Sequence, residues 1–73
     1  MKIQTPTDLA ALIRSQREDM AITQQQLADM TMTSRKWVID LENGKPTVEL
    51  YRVLDVLATL NLELHTSGKT VDN

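Results

Sequence analysis

Apolar residues recur at three- and four-residue intervals through most of the chain and then, near its end, at every second position. The first pattern marks helices with one buried face, and the second marks a strand. Leu9, Leu12, Ile13 and Gln16 follow helical spacing, with Ala10 and Ala11 as strong helix formers between them. Upstream, Thr5 suits the N-cap, Pro6 the first helical position, and Asp8 the returning bond of a capping box, with Thr7 as the alternative cap. A first helix to about Asp19 is predicted. Met20 to Ile22 then connects, and Thr23-x-x-Gln26 forms a second capping box that opens a helix over Gln24 to Met30, with Ile22 as its hydrophobic staple. A third helix spans Ser34 to Asn43. Gly44-Lys45-Pro46-Thr47 breaks it, and Thr47 is a good N-cap for a fourth helix over Val48 to Leu60. Leu50, Tyr51, Val53, Leu54, Leu57, Ala58 and Leu60 give that helix more apolar surface than one stripe needs, which suggests a subunit interface.

After Asn61, a natural helix stop, Leu62-Glu63-Leu64-His65-Thr66 alternates in strand fashion. A lone strand in a helical chain has nothing to pair with, so pairing with its own copy across a two-fold axis is the economical solution, with Leu62 and Leu64 as the dimerisation residues. The expectation is an all-α domain of four to five helices with one short C-terminal strand pairing across a dimer. Residues 1–66 form it, and residues 67–73, SGKTVDN, are a disordered tail. Met1 to Gln4 is either a frayed end or a short arm that touches phosphate.

The stretch Thr23 to Gly44 has helix-turn-helix spacing. Leu27, Ala28, Val38 and Leu41 fall where two crossing helices share apolar contact, with the small Ala28 where the backbones come closest. At about 100° per residue, Ser34, Val38 and Leu41 lie on the inner side of the second helix, and Lys36, Ile39, Asp40 and Asn43 on the outer. Arg35 and Lys36 at its leading end suit the major groove, where Arg reads guanine and Lys reads guanine or grips phosphate. Ser34 caps the helix or touches phosphate, and Lys45 sits where a phosphate would pass. Trp37 either packs on the preceding helix or rests against sugar and thymine methyl groups. Asp40 repels phosphate; it either accepts from cytosine N4 or orients Lys36 one turn back.

Composition narrows the chemistry. Seventy-three residues allow one domain near the lower size limit for an unstapled core. There is no Cys and one His, His65, so disulfides, zinc and most nucleophilic chemistry fall away. With no paired carboxylates, nucleophile with base or phosphate-cradling glycine loop, neither an enzyme nor a cofactor is expected. No signal peptide or membrane span is read, so a cytoplasmic protein without membrane contact is expected. The net charge of −2 opposes nucleic-acid binding if taken alone. Its distribution does not, because Arg35, Lys36 and Lys45 cluster at the third helix while most acidic residues lie elsewhere.

The segment LIRSQREDMAITQQQLADMTMTSRKWVIDLENGK resembles the Xre, phage-repressor-like, helix-turn-helix family at Arg14, Arg17, Thr23, Gln24, Leu27, Ala28, Val38, Glu42, Asn43 and Gly44. With IQTPTDLAALIR before it and TVELYRVLDVLATLNLELH after, it is similar to HipB-type antitoxins, which repress their own operon and bind a HipA-type kinase toxin. The resemblance implies three partners: double-stranded operator DNA, a second copy of the chain, and such a toxin, whole or split. It further implies a partly buried ion pair between Arg17 and Glu42, and a phosphate contact at Gln24. A stand-alone Xre repressor, or an interaction module that has lost DNA binding, are the alternatives. The chain departs from the family in the turn, with Thr31 for an apolar residue and Met32 for glycine. A Met at positive φ costs about 1 to 2 kcal/mol, so a different turn geometry or local strain is expected.

Overall fold

Capping chemistry sets where the helices begin. In the computed structural model, which describes residues 2–46 and 48–65, the elements are α1 (Pro6–Asp19), α2 (Gln24–Met30), α3 (Arg35–Glu42) and α4 (Leu50–Thr59). Thr5 and Asp8 exchange side-chain and backbone bonds in a capping box with Pro6 at the first helical position, and Thr23 and Gln26 do the same for α2. The Asp8 carboxylate also accepts from the Gln4 N–H at 3.0 Å, which ties the preceding segment to α1. Ser34 caps α3 through the Trp37 N–H at 3.0 Å.

All four helices end the same way. The residue after each C-cap is left-handed: Ala21 at φ +57°, Met32 at +56°, Gly44 at +78° and Asn61 at +57°. The next N–H reaches back across the last turn, from Ile22 to Arg17 O, Thr33 to Ala28 O, Lys45 to Asp40 O and Leu62 to Leu57 O, at 2.8 to 3.1 Å. These are Schellman closures, which satisfy carbonyls the helix itself leaves open. The α2–α3 turn therefore keeps the geometry that glycine favours, and Met32 carries the strain. Thr31 helps hold it there, donating from Oγ1 to Leu27 O at 2.8 Å and lying 2.9 Å from Thr33 Oγ1. Gly44 has a second constraint, since a Cβ there would meet Thr7 Oγ1 at 3.1 Å and Thr7 Cα at 3.2 Å.

One core joins the elements: Ile13 from α1, Leu27 and Ala28 from α2, Val38 and Leu41 from α3, and Val53, Val56 and Leu57 from α4, closed by Leu60. Each large member contributes about 1.5 to 3 kcal/mol by leaving water. Gln16, at a position the spacing shares with apolar residues, donates from Nε2 to Leu60 O at 3.0 Å and pins α1 to the end of α4.

One expectation needs correction. The fourth helix starts at Leu50, not Val48, with Glu49 at the N-cap and no side-chain cap bond. Val48 packs against the core ahead of the helix, and the Glu49 carboxylate is taken by Arg52 Nε at 3.1 Å; Thr47, the expected cap, lies outside the described residues. The C-terminal alternation does not form a ladder within the described chain. Leu62 is half-buried against the core, whereas Leu64 is 57% exposed. Thr66 and the tail 67–73 lie outside the described residues. No helix among the described residues is long and apolar enough to cross a membrane.

Candidate nucleic-acid interface

The outer face of α3 stands on a rigid polar support. Arg17 of α1 grips Glu42 of α3 through two bonds, Nε to Oε2 at 2.7 Å and Nη2 to Oε1 at 3.0 Å. Its remaining nitrogen, Nη1, donates to Ile22 O at 2.7 Å in the α1–α2 link. The pair is nearly dry, the two side chains being 10% and 2% exposed. The bond from Glu42 pushes the Arg17 pKa above its already high usual value, against the opposing effect of burial. Such a bidentate pair fixes direction as well as distance. It therefore locks the end of α3 against α1 and the start of α2.

Gln24 joins this support instead of standing free at the surface. Its Nε2 donates to Glu42 Oε1 at 3.2 Å, so the carboxylate is held from α1 and α2 together. One amide hydrogen remains for another acceptor. A phosphate bound there would be coupled through one side chain to the buried pair.

On the exposed face, Lys36 and Lys45 converge on one carboxylate oxygen, Oδ2 of Asp40, at 3.2 and 3.5 Å. Asp40 thus contacts Lys36 one turn back, the arrangement that an orienting role requires. The Lys36 bond, with Lys45 adding to it, draws the Asp40 pKa below the ordinary carboxylate value. Arg35 has no ion pair or side-chain hydrogen bond among the described residues and is exposed. It borders a shallow hollow lined also by Arg14, Arg17, Thr23, Gln24 and Gln25. Asn43 is exposed at the C-cap, and its N–H closes the helix on Ile39 O at 2.9 Å. Trp37 is half-buried, packing on the core while lining a second hollow with Met32, Thr33, Ser34, Glu49 and Arg52.

Arg14 and Arg52 are the basic residues at this face that sequence reasoning did not place there. Arg14 had a usable signal: it precedes Arg17 by three positions on one helix, so both point toward the same side. Arg52 had none, because only the packing of α4 brings it near the start of α3. Arg14 is paired loosely with Glu18 at 3.9 Å, both well exposed. Arg52 lies 5.3 Å from the Tyr51 ring centroid.

Comparison with known proteins agrees with this geometry. The helix-turn-helix family profile matches residues 13–66. An uncharacterized HTH-type transcriptional regulator of Sinorhizobium fredii, y4mF, is 38% identical over 63 residues, covering 86% of this chain and 83% of that protein. HipB, in its complex with the O4 20mer, superposes with a TM-score of 0.84 at 25% identity, over 93% of this chain and 96% of that one. The clp gene regulator ClgR of C. glutamicum does so with a TM-score of 0.73 at 26% identity, over 85% and 80%. With a recognition helix braced by a buried Arg–Glu pair and a family match over most of its length, the chain belongs to the Xre-type helix-turn-helix family of DNA-binding transcriptional regulators.

Proposed function

We propose that this protein is a dimeric antitoxin that binds operator DNA, represses its own operon and holds a HipA-type serine/threonine kinase toxin, whole or split. The observation that carries the DNA half is the exposed leading end of α3, where Arg35 is unpaired among the described residues and Lys36 is 80% exposed, on a helix whose far end is fixed by Arg17 and Glu42. Arg35 and Lys36 enter the major groove, with Ser34, Trp37, Asp40 and Asn43 along the same face. Gln24 and Lys45 flank it at the phosphates. Regulators of this family act by binding, and the protein works where the DNA is, in the cytoplasm.

The likeness to HipB over 93% of the chain supports the antitoxin half. The exposed apolar side chains Leu50, Tyr51 and Leu54 on α4 and Leu64 beyond it, 69%, 58%, 44% and 57% exposed, support dimerisation. Co-purification of the tagged protein from its native cell tests the proposal. A kinase is expected in the eluate, and DNA upstream of the operon is expected to shift in a mobility assay. The described role of the Sinorhizobium relative, a transcriptional regulator, favours one second reading, a stand-alone repressor; a DNA shift with no kinase in the eluate or beside the gene would establish it.

A further inference from the structure

Given the DNA-binding proposal above, we infer that Asp40 is the specificity-determining residue of α3: with Lys36 it forms a preassembled donor–acceptor pair that fits a G·C base pair and penalises other sequences. The two side chains touch at 3.2 Å one helical turn apart, so a cationic donor and an anionic acceptor sit side by side on the exposed face. The major-groove edge of a G·C pair is the complement, with the guanine O6 and N7 acceptors beside the cytosine N4 donor. Lys36 uses one of its three hydrogens on Asp40 and keeps two for guanine. The other Asp40 oxygen, Oδ1, has no hydrogen-bond partner among the described residues and is the acceptor for cytosine.

Asp40 also acts on binding that reads no sequence. It holds Lys36 and Lys45 on one oxygen, so one negative charge is shared between two of the basic residues at this face and half of their charge is offset before any phosphate arrives. Where the base opposite it is guanine or thymine, its carboxylate faces phosphates and base acceptors, with no amino donor to offset the repulsion. The price of Asp40 is therefore overall affinity, and its return is discrimination.

The test is a selection from duplexes with a randomised core, together with titration of one mixed-sequence duplex across a salt series. Wild type, Asp40→Ala and Asp40→Asn are compared, with thermal unfolding to confirm that each is folded. Wild type is expected to enrich a cytosine at one position of each half-site. Asp40→Ala should lose that preference, about five- to a hundredfold in relative affinity, while the other positions stay enriched. It should also bind the mixed duplex on the order of tenfold more tightly at low salt, with a slope steeper by about one to two per protomer. Asp40→Asn should make the same electrostatic change and move the preference toward adenine, which an amide reads. An unchanged cytosine preference, or weaker binding of both variants to every duplex, overturns the inference and leaves the DNA-binding proposal standing. Failure of wild type to retain any duplex at low salt overturns that proposal instead.

Discussion

Ala21 and Met32 hold left-handed backbone that glycine would adopt without strain, at φ +57° and +56°. Met32 is 90% exposed, so its side chain offsets little of that cost by burial. Replacing either with Gly should raise stability by about 0.5 to 1 kcal/mol, the relieved strain exceeding the added entropy of the unfolded chain. In thermal melts this is a rise of roughly 2 to 8 °C for a domain of this size. Gly44→Ala should do the reverse by about 1 to 3 kcal/mol, since the new methyl is strained at φ +78° and also meets the backbone of Thr7 at 3.2 Å. Arg17 and Glu42 should be energetically coupled. Removing one leaves a nearly dry charge behind, whereas removing both relieves it, so a double-mutant cycle in urea should give a coupling of roughly 1 to 3 kcal/mol. Strict additivity would show that the pair does not brace α3.

At the scale of the element, α3 divides its basic residues unequally. Lys36 is half-spent on Asp40, while Arg35 is not paired among the described residues. Replacing both with Ala should cost about 2 to 5 kcal/mol per half-site, and Arg35→Ala alone should account for the larger share. Mobility shifts at fixed salt separate the two, and equal losses would mean that the Asp40 pairing does not survive on DNA. Arg14 stands on α1, away from the outer face of α3, so under the proposed DNA binding Arg14→Ala should flatten the salt dependence by about 0.9 per protomer without altering sequence preference. The Asp40 pairings also carry a pH sign. A carboxylate whose pKa is lowered in the folded state contributes stability above its unfolded value, which is lost as the pH falls through the folded one. Acid titration of Asp40→Asn should therefore lack a component that wild type shows below the ordinary carboxylate range.

For the whole molecule, four of the exposed large apolar side chains among the described residues, Leu50, Tyr51, Leu54 and Leu64, gather on α4 and just past it, whereas Ile3, Met30 and Met32 lie elsewhere, so the proposed second subunit covers the α4 side. Leu62 is a poor probe of the interface, because it packs on its own core and its N–H closes α4 on Leu57 O at 2.8 Å. The informative change is Leu54→Asp with Leu64→Asp, both at the surface. Light scattering should then report a smaller species, and DNA binding should weaken with it, because two recognition helices must be held about 34 Å apart to meet successive turns. A variant that stays dimeric would place the interface elsewhere.

Signals carried by a few consecutive residues, or by the apolar spacing along a helix and its neighbour, were legible without the fold. Thr5-Pro6-Thr7-Asp8 and Thr23-x-x-Gln26 set the starts of α1 and α2, Gly44 and Asn61 their own helix stops, and the spacing of Leu27, Ala28, Val38 and Leu41 the shared core of the helix-turn-helix. The caps and stops rest on hydrogen bonds within one or two turns, which the local residues settle by themselves, and the shared core rests on the apolar periodicity of each helix. The Arg17–Glu42 contact came from family likeness and not from spacing, since a 25-residue separation carries no local signal. Only packing decided the rest. Leu62 and Leu64 look equivalent in an alternating run, but one meets the core and the other water. Gln24 turns to Glu42 because α3 places a buried carboxylate beside it. Two lysines share Asp40 because the closing turn at Gly44 carries Lys45 back over the face that already holds Lys36.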